Sequence, residues 1–543
     1  MRLDAQGVRE REEWESKGYQ LPQFDREAVQ KATQEQPFWI HFGLGNIFRA
    51  FQANVVQQLL NQGLLNRGLI AGEGYNYELV REVARPHDNY HILVTLKADG
   101  KVEKTVIGSI VETLTVDPDH TEDIERLRKI FAAPSLQMVS FTITEKGYSL
   151  VDGNGNYLPA IVEDFEAGPA EAKSYMGKIT ALLYCRYRAG QQAVAMLSLD
   201  NCARNGDRLR EAVCAYARHW QEIGKVDSGF LAYLKNPKKV SFPYTMIDKI
   251  TPRPDPSVEA VLRNDGIEEL ETVVTKNQTY VTPFVNAEET EYLVVEDAFP
   301  NGRPQALEQG GILFTTRETV EKVEKMKVST CLNPLHTGLA VFGCLLGYTK
   351  IADEMGDPDL RGLVEGLGYR EGLPVVINPG VIDPKTFLNT VLQTRLPNPF
   401  LPDSPQRIAM DTSQKLGVRF GETIKAYMLS DNLCVEDLKL VPLVLAGWLR
   451  YLVGVDDRGQ TFAISADPRL QTLRLQLADL RLGKTEGVEK LVRPILEDAT
   501  IFGVNLYEAE LAERVCGYLK ELLAGVGAVR KTLHKYVTET NVN

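Results

Sequence analysis

A glycine pair between an apolar run and a helical pattern constrains the fold of this chain more than any other feature. The apolar residues before Gly43 predict a short strand, and the pattern through Leu60 is typical of an amphipathic helix. Gly43 permits a tight turn, and Gly45 lets the backbone approach a pyrophosphate closely. The N-terminus of the helix offers unpaired N–H groups to the same anion. The stretch therefore predicts a dinucleotide phosphate site, with an ordinary turn as the alternative.

A second predicted strand ends in an acidic residue, Glu73. A carboxylate in this place would accept a hydrogen bond from a ribose 2′-OH and repel a 2′-phosphate, which favours NAD over NADP. A solvated glutamate in a turn is the alternative. Phe48 occupies the position of the third glycine of the usual fingerprint. The residues that we predict to bind the cofactor are Gly43, Leu44, Gly45, Asn46, Ile47, Phe48, Arg49 and Glu73.

Composition argues against several classes of protein. The chain has 543 residues, too many for one ordinary core, and its net charge of −12 argues against a general nucleic-acid binder. Its cysteines and histidines lack metal-ligand spacing, so we expect reduced thiols, no metal site and a cytoplasmic location. The N-terminus lacks the apolar core of a signal peptide. The most apolar stretch, Leu440 to Val455, is too short for a membrane span and predicts a buried helix.

The order of the predicted elements divides the chain into two domains. Strands alternate with helices over roughly the first 200 residues, which is typical of a doubly wound, mainly parallel sheet. Long helical patterns dominate from about residue 315. The sequence therefore predicts an α/β Rossmann-like domain over residues 1–310, with a polar N-terminal extension, and a mostly α-helical domain over residues 311–543.

The helical domain contains the stretch Asn333-Pro334-Leu335-His336. Asparagine followed by proline is typical of an N-cap with proline at the first helical position. His336 would then lie in the first turn, where the helix dipole disfavours its cation, and a neutral imidazole is a good hydrogen-bond partner for a hydroxyl or carbonyl group. A structural histidine beside a cap is the more common case, so the motif alone does not establish a catalytic site.

Several motifs, in the same order along the chain, resemble those of the polyol-specific long-chain dehydrogenases, the mannitol dehydrogenase family. The similarity runs from about residue 38 to 416, and each motif is modest alone but specific in this order. The matching stretches are Gly43–Ala50, Thr144–Tyr148, Asp200-Asn201, Met246–Pro252, Glu296–Pro304, Asn333–His336 and Arg407–Leu416.

The resemblance implies roles for residues in these motifs. In this family a lysine, rather than zinc, is the general acid/base. Asn333 and His336 would hydrogen-bond the reacting oxygen and stabilise charge that develops on it. Asn201 and Asp248 would hold substrate hydroxyls and orient the lysine, and Asn201 would also contact the cofactor. Without the resemblance, Asn201 is more typical of a turn and Asp248 of a solvated charge.

Arg407 and Lys415 would clamp the far end of the substrate. Eight residues span a little over two helical turns, so we expect one helix face to carry both cations. Two cations suit an acidic sugar, and Arg offers a bidentate fork to a carboxylate. Relatives that act on neutral polyols keep cations here too, so the pair does not decide the substrate.

Lys327 is the best candidate for the family lysine, with Lys325 a weaker substitute. It stands six residues before Asn333, whereas the family lysine stands five before its asparagine, and Val328 holds the strict position. Either the segment contains one extra residue, or the lysine is supplied differently. A surface lysine in a helix rich in Glu and Lys is the alternative.

The resemblance implies reversible hydride transfer between NAD and a secondary alcohol of a linear sugar derivative. We expect D-fructuronate and D-mannonate as the reacting pair, with tagaturonate or the neutral polyol mannitol as alternatives. A nucleotide- or sugar-binding regulator without turnover is the alternative from another class, because the lysine is displaced. We expect a small sugar acid or polyol as the partner, no nucleic acid or membrane, and a monomer or small homo-oligomer.

Overall fold

The structure of the protein is a computed structural model that describes residues 1–541. The chain divides into two compact units. The first combines Met1–Lys97 with Lys101–Val320, and the second combines Ala98–Gly100 with the chain from Glu321 onward. The boundary that the sequence predicts near residue 310 lies close to this division.

Parallel strands form the main sheet of the first unit. Its order is β6-β3-β2-β7-β8-β9, and neighbouring strands are parallel throughout. The succession of strands reverses between β2 and β7, and sheets of this kind bind ligands at the carboxyl ends of the strands beside such a point. The strands are β1 (Tyr19–Gln20), β2 (Trp39–Phe42), β3 (Leu69–Glu73), β4 (His91–Leu96), β5 (Val102–Ile107), β6 (Ile110–Thr115), β7 (Met138–Phe141), β8 (Val194–Ser198), β9 (Val240–Ser241), β10 (Thr245–Asp248), β11 (Val273–Val274), β12 (Tyr280–Val281), β13 (Phe284–Glu288), β14 (Tyr292–Glu296) and β15 (Leu313–Thr315).

The remaining strands form smaller sheets. β4 and β5 make an antiparallel hairpin with β13 on one side and β1 on the other, and β10, β14 and β15 form a second small sheet. A break of two residues separates β5, which ends at Ile107, from β6, which begins at Ile110. The break occurs because Gly108 N–H donates to the Gln57 side chain, which replaces a ladder partner.

Helices cover both faces of the main sheet. Ile40 and Phe42 of β2 belong to one apolar core and Trp39 to another, as expected for a parallel sheet buried on both sides. The helices of the first unit are α1 (Arg11–Ser16), α2 (Arg26–Glu35), α3 (Asn46–Ala50), α4 (Gln52–Asn61), α5 (Thr121–Ala132), α6 (Glu145–Tyr148), α7 (Pro159–Ala167), α8 (Tyr175–Arg188), α9 (Asn205–Glu222), α10 (Phe230–Lys235), α11 (Pro256–Asn264) and α12 (Ala306–Gln309).

The second unit is helical, as its sequence predicts. Several of its helices end in or join π-helical turns, including Lys327–Cys331 and Gly417–Gly421. The helices, of which the first begins in the first unit, are α13 (Arg317–Met326), α14 (Asn333–Leu346), α15 (Ile351–Glu354), α16 (Pro358–Glu365), α17 (Pro384–Thr390), α18 (Pro405–Ile408), α19 (Thr412–Leu416), α20 (Glu422–Met428), α21 (Leu440–Tyr451), α22 (Leu470–Gln476), α23 (Val488–Leu496), α24 (Ala499–Phe502), α25 (Ala512–Leu523) and α26 (Ala528–Asn541).

Two apolar helical runs lie in the protein interior. Every residue of α21 is buried, which confirms the expectation for Leu440 to Val455. The run Arg317–Leu346 has the length and composition of a membrane span, but 83% of its apolar window is buried inside the protein. Burial of this extent is typical of a core helix, which passes the same test of length and hydropathy.

Arg186 fixes the chain where it enters β7 and β8. Its side chain is fully buried, and its guanidinium donates to backbone carbonyls in the segments that lead into the two strands. The acceptors are the carbonyl oxygens of Phe131, Ala133, Leu136, Gln192 and Ala193. Both strands therefore start from one anchored point, and their carboxyl ends carry residues of the candidate site.

Replacing this anchor should destabilise the first unit. The substitution Arg186→Met removes the donors and leaves buried carbonyls without partners, so we expect the free energy of unfolding to fall by about 3 kcal/mol or more. Urea unfolding followed by circular dichroism measures it. Arg188→Met is the matched control, because Arg188 is 62% exposed and pairs with Asp227. Equal losses for the two variants would contradict the anchoring role.

Candidate active site

The glycine turn at the end of β2 has the geometry that a dinucleotide phosphate site requires. Gly43 has a φ of +108°, and its N–H donates to Gly72 O at 2.8 Å. A Cβ on Gly43 would lie 2.9 Å from Thr142 O, so a larger residue would not fit. Open space lies beside Gly45, the N-cap of α3. The turn thus brings bare backbone to the reversal point of the sheet.

Phe48 takes over the packing that a third glycine usually provides. Its ring is fully buried and stacks on His41 of β2, with centroids 3.9 Å apart and planes at 4°. His41 Nδ1 lies 2.7 Å from Ser140 Oγ, and burial lowers the pKa of His41 to about 3, so the imidazole is neutral. A flat aromatic stack between strand and helix explains why the fingerprint tolerates a bulky residue here.

The side chains in the first turn of α3 bond or pack against other groups of the protein. Arg49 is buried, and it donates to Thr282 O at 2.7 Å and to Asn46 Oδ1 at 2.9 Å. Burial lowers the pKa of Arg49 to about 10. Ile47 packs against the apolar core. Cofactor contacts from this turn would therefore come mainly from its backbone.

Glu73 holds the glycine turn. Its Oε2 accepts from Leu44 N–H at 2.9 Å, and its Oε1 accepts from Tyr75 N–H at 2.9 Å and Asn76 N–H at 3.0 Å. The side chain is buried, and this burial raises the pKa of Glu73 against the opposing effect of the backbone donors. These partners join two turns 29 residues apart in the chain. The predicted contact of Glu73 with a ribose stays a prediction.

Asn201 lies at the carboxyl end of β8, exposed between two buried polar residues. Before it, Asp200 accepts a hydrogen bond from the Tyr148 hydroxyl. After it, the Asn205 amide donates to Asp200 O at 3.3 Å and to Thr245 O at 3.1 Å. The loop is thus pinned on both sides, and Asn205 links it to the first residue of β10.

Asp248 is the last residue of β10, the strand that Asn205 contacts, and its side chain is buried. The next residue, Lys249, pairs with Glu291 at 2.8 Å. Asn201 and Asp248 therefore lie on neighbouring elements of the first unit that one buried amide, Asn205, ties together. Their assignment to substrate hydroxyls stays a prediction.

A π-helical turn separates Lys327 from Asn333. Leu332 N–H donates to Lys327 O at 3.1 Å, which is the i→i+5 bond of a π-helix. Such a turn contains one residue more than an α-helical turn, which fits the alternative in which this segment carries one extra residue. Pro334 has no N–H, so an irregular turn just before it avoids the usual conflict with a regular helix.

Asn333 and His336 lie in the first turn of α14. The N-cap is Leu332, one residue earlier than the sequence predicted, and this residue, with a φ of −133°, also ends the π-turn. The His336 side chain is 12% exposed, and its Nε2 lies 3.7 Å from Asp403 Oδ2. Burial lowers the pKa of His336 to about 4, so the imidazole is neutral near pH 7. Desolvation is the main cause, rather than the helix dipole.

Arg407 and Lys415 do not share one helix, so the expectation of a single helix face is wrong. Arg407 belongs to α18 and Lys415 to α19, and Asp411 between them has a φ of +54°. Arg407 is 62% exposed and pairs with Asp403. Lys415 Nζ donates to Met410 O at 2.5 Å. Their predicted contacts with substrate remain untested.

Arg419, which the sequence analysis did not single out, is linked through Thr337 to Asn333. It lies in the π-helical turn Gly417–Gly421, and its Nη1 donates to Thr337 Oγ1 at 2.5 Å. Thr337 Oγ1 in turn donates to Asn333 O at 3.0 Å. The only sequence signal was a third cation four residues after Lys415, which is also typical of a solvated helix face.

Besides the neighbouring Asn201 and Asp248, the structure brings several of the predicted residues together in two groups, one in each unit. The glycine turn and Glu73 form one group, joined through Leu44. Asn333 and His336 form the other, and His336 lies close to the Asp403–Arg407 pair. Within the part of the chain that the structure describes, no cluster of His, Cys, Asp or Glu is arranged to hold a metal ion.

Two family models match the chain. Residues 38–308 match the mannitol dehydrogenase Rossmann domain, and residues 319–523 match the mannitol dehydrogenase C-terminal domain. The two matches fall in the two units of the structure.

Individual relatives match over nearly the whole chain. The D-mannonate oxidoreductase of Thermotoga maritima is 50% identical over 99% of this chain and 99% of the relative. That of Escherichia coli is 30% identical over 79% of this chain and 83% of the relative. The solved ternary complex of Pseudomonas fluorescens mannitol 2-dehydrogenase with NAD and D-mannitol is 26% identical, covers 99% of this chain and 100% of its own, and has a TM-score of 0.68.

These matches confirm the resemblance that the motifs indicated and the predicted pairing of a Rossmann-like unit with a mostly helical one. The chain belongs to the mannitol dehydrogenase family.

Proposed function

We propose that this protein is an NAD-dependent oxidoreductase that interconverts D-fructuronate and D-mannonate. The observation that carries the proposal is the 50% identity to a D-mannonate oxidoreductase over 99% of both chains. The glycine turn supports the choice of cofactor, because Gly43 and Gly45 present bare backbone where a pyrophosphate would lie. When bound, the nicotinamide supplies the hydride chemistry, and the protein positions the sugar and manages the proton.

Lys327 is the proton carrier in this proposal. During reduction its ammonium group gives a proton to the carbonyl oxygen of the sugar, and in the reverse direction its neutral amine takes the proton from the hydroxyl. The π-helical turn supports Lys327 over Val328, because one extra residue is absorbed between the lysine and Asn333. Lys325 is a weaker candidate, since it pairs with Glu422 at 3.0 Å.

Asn333 and His336 would bind the same oxygen. The Asn333 amide donates to the charge that develops there, and the neutral His336 imidazole offers a second hydrogen bond. Asn201 and Asp248 would hold the remaining hydroxyl groups. The residues act in this scheme without a zinc ion.

A neutral polyol is the alternative substrate. The full-length similarity to a mannitol 2-dehydrogenase with bound D-mannitol favours it as the second candidate, and tagaturonate is a further sugar acid to consider. A regulator without turnover loses its main support, because the π-helical turn accounts for the displaced lysine.

A substrate panel tests the proposed reaction. We expect the protein to oxidise NADH rapidly with D-fructuronate, more slowly with D-tagaturonate and slowest with D-fructose, as measured by NADH absorbance. Highest kcat/KM with fructose would assign the neutral polyol instead. Binding of NADH without turnover of any of the three sugars would return the protein to the regulator class.

Removing the proton carrier should abolish most of the turnover. We expect Lys327→Ala to lower kcat by about 10²–10⁴-fold, because general acid/base catalysis contributes that much. NADH affinity, measured by fluorescence titration, should stay unchanged. Lys325→Ala is the competing variant, and a large loss there with near-normal turnover in Lys327→Ala would transfer the role to Lys325.

Glu73 provides a test of coenzyme selection. Its oxygens accept three backbone N–H groups, so Glu73→Gln should loosen the glycine turn and lower the affinity for NADH and NADPH by the same factor, about 10-fold. Glu82→Gln is the exposed control in the same region. A selective gain in NADPH affinity would instead support the ribose contact that the sequence predicted.

A further inference from the structure

Arg419, which contacts α14, and Lys415, four residues earlier, make no ion pair among the described residues. Among the residues that the structure describes, neither Arg419 nor Lys415 has a carboxylate at ion-pair distance, although the chain carries a net charge of −12. Asp411 and Asp467 act on Lys415 electrostatically from further away, whereas no carboxylate does so for Arg419. Arg419 is therefore the less compensated of the two charges.

Arg419 is held beside the candidate catalytic residues. Its Nη1 bond to Thr337 and the Thr337 bond to Asn333 O form a short chain that ends at the residue proposed to bind the reacting oxygen. The π-turn that contains Arg419 also packs against the π-turn that contains Lys327. The guanidinium thus has a fixed place in this group while its other N–H donors are left for a ligand.

The electrostatics of this region favour an anion. Burial lowers the pKa of Arg419 to about 10, which still leaves the side chain charged near pH 7. Its charge also lowers the pKa of Lys415 and of His336. A partly desolvated guanidinium beside a second cation is costly, and a bound carboxylate offsets that cost through a bidentate, charge-assisted pair.

Arg407, which the sequence favoured, is a poorer choice for the same task. Asp403 already neutralises it, and its side chain is 62% exposed. A substrate carboxylate would have to compete with Asp403 there, in a place where solvent weakens the interaction.

We propose that Arg419, assisted by Lys415, binds the carboxylate of the substrate and so makes the protein selective for linear sugar acids over neutral polyols. The inference rests on the proposed function, and it names a specificity residue for that reaction. Asn333 and Thr337 are four residues apart on α14, about 6 Å along the axis. This distance is comparable with the separation between the carbonyl carbon and the carboxylate of a linear six-carbon sugar acid.

The test compares two substrates that differ in the charged group. Steady-state kinetics with D-fructuronate and D-fructose are measured for the wild-type protein, Arg419→Gln and Arg419→Lys. We expect Arg419→Gln to lower kcat/KM for fructuronate by about 10- to 100-fold, mainly through KM, and to change that for fructose less than 3-fold. Arg419→Lys keeps the charge but loses the fork, so it should recover part of the loss.

Controls separate recognition from folding. Arg361→Gln replaces an exposed arginine that pairs with Glu365, and it should leave both substrates unaffected. Thermal unfolding of each variant shows whether the fold is intact. If Arg419→Gln does not fold, Arg419→Lys carries the comparison, because the two substrates are measured on the same variant.

The outcomes distinguish this inference from the proposed function. Equal losses for fructuronate and fructose would overturn the inference and show that Arg419 acts only by positioning Asn333. No loss with either sugar would overturn it as well. A wild-type protein that prefers fructose would instead overturn the proposed function, whatever the variants do.

Discussion

A proline inside a long helical run constrains the catalytic half of this protein. Pro334 would break a regular α-helix that ran on from α13, because it has no N–H and its ring conflicts with the carbonyl one turn earlier, but it fits the first turn of α14. The chain solves this with a π-helical turn, closed by the bond from Leu332 N–H to Lys327 O. The run then continues through Asn333 and His336. One local irregularity therefore sets the spacing of the lysine, the amide and the imidazole.

The nucleotide-binding half depends on a similar replacement of a standard contact. A third glycine would let helix and strand approach closely, but here Phe48 lies flat on His41 and fills the gap. The turn above them is held from outside by Glu73, whose carboxylate bonds Leu44 N–H. Both devices leave Gly43 and Gly45 free of side-chain obstruction. Phe48 and Glu73, rather than a third glycine, therefore keep the backbone of the glycine pair accessible.

Periodicity and turn chemistry predicted the larger features well. The alternation of strands and helices indicated the parallel sheet, and the long helical patterns from about residue 315 indicated the helical unit. They could not predict that Asp411 would separate Arg407 from Lys415, because eight helical positions look continuous until one residue adopts a left-handed φ. Nor could they reveal the partners of Glu73, since a sequence pattern reports which side chains are buried and not which backbone groups they bond.

Arg407 and Arg419 differ in whether a neighbouring carboxylate neutralises them, and the sequence alone does not show this difference. Arg407 and Arg419 both lie in short helical turns, yet Asp403 neutralises the first, whereas among the described residues the second bonds a threonine and no carboxylate. Asp403 also lies 3.7 Å from the neutral His336. Desolvating Arg419 costs free energy, and a carboxylate in a bidentate pair offsets more of that cost than a hydroxyl does. The difference between the two arginines is therefore one of charge compensation, which becomes visible only when the chain is folded.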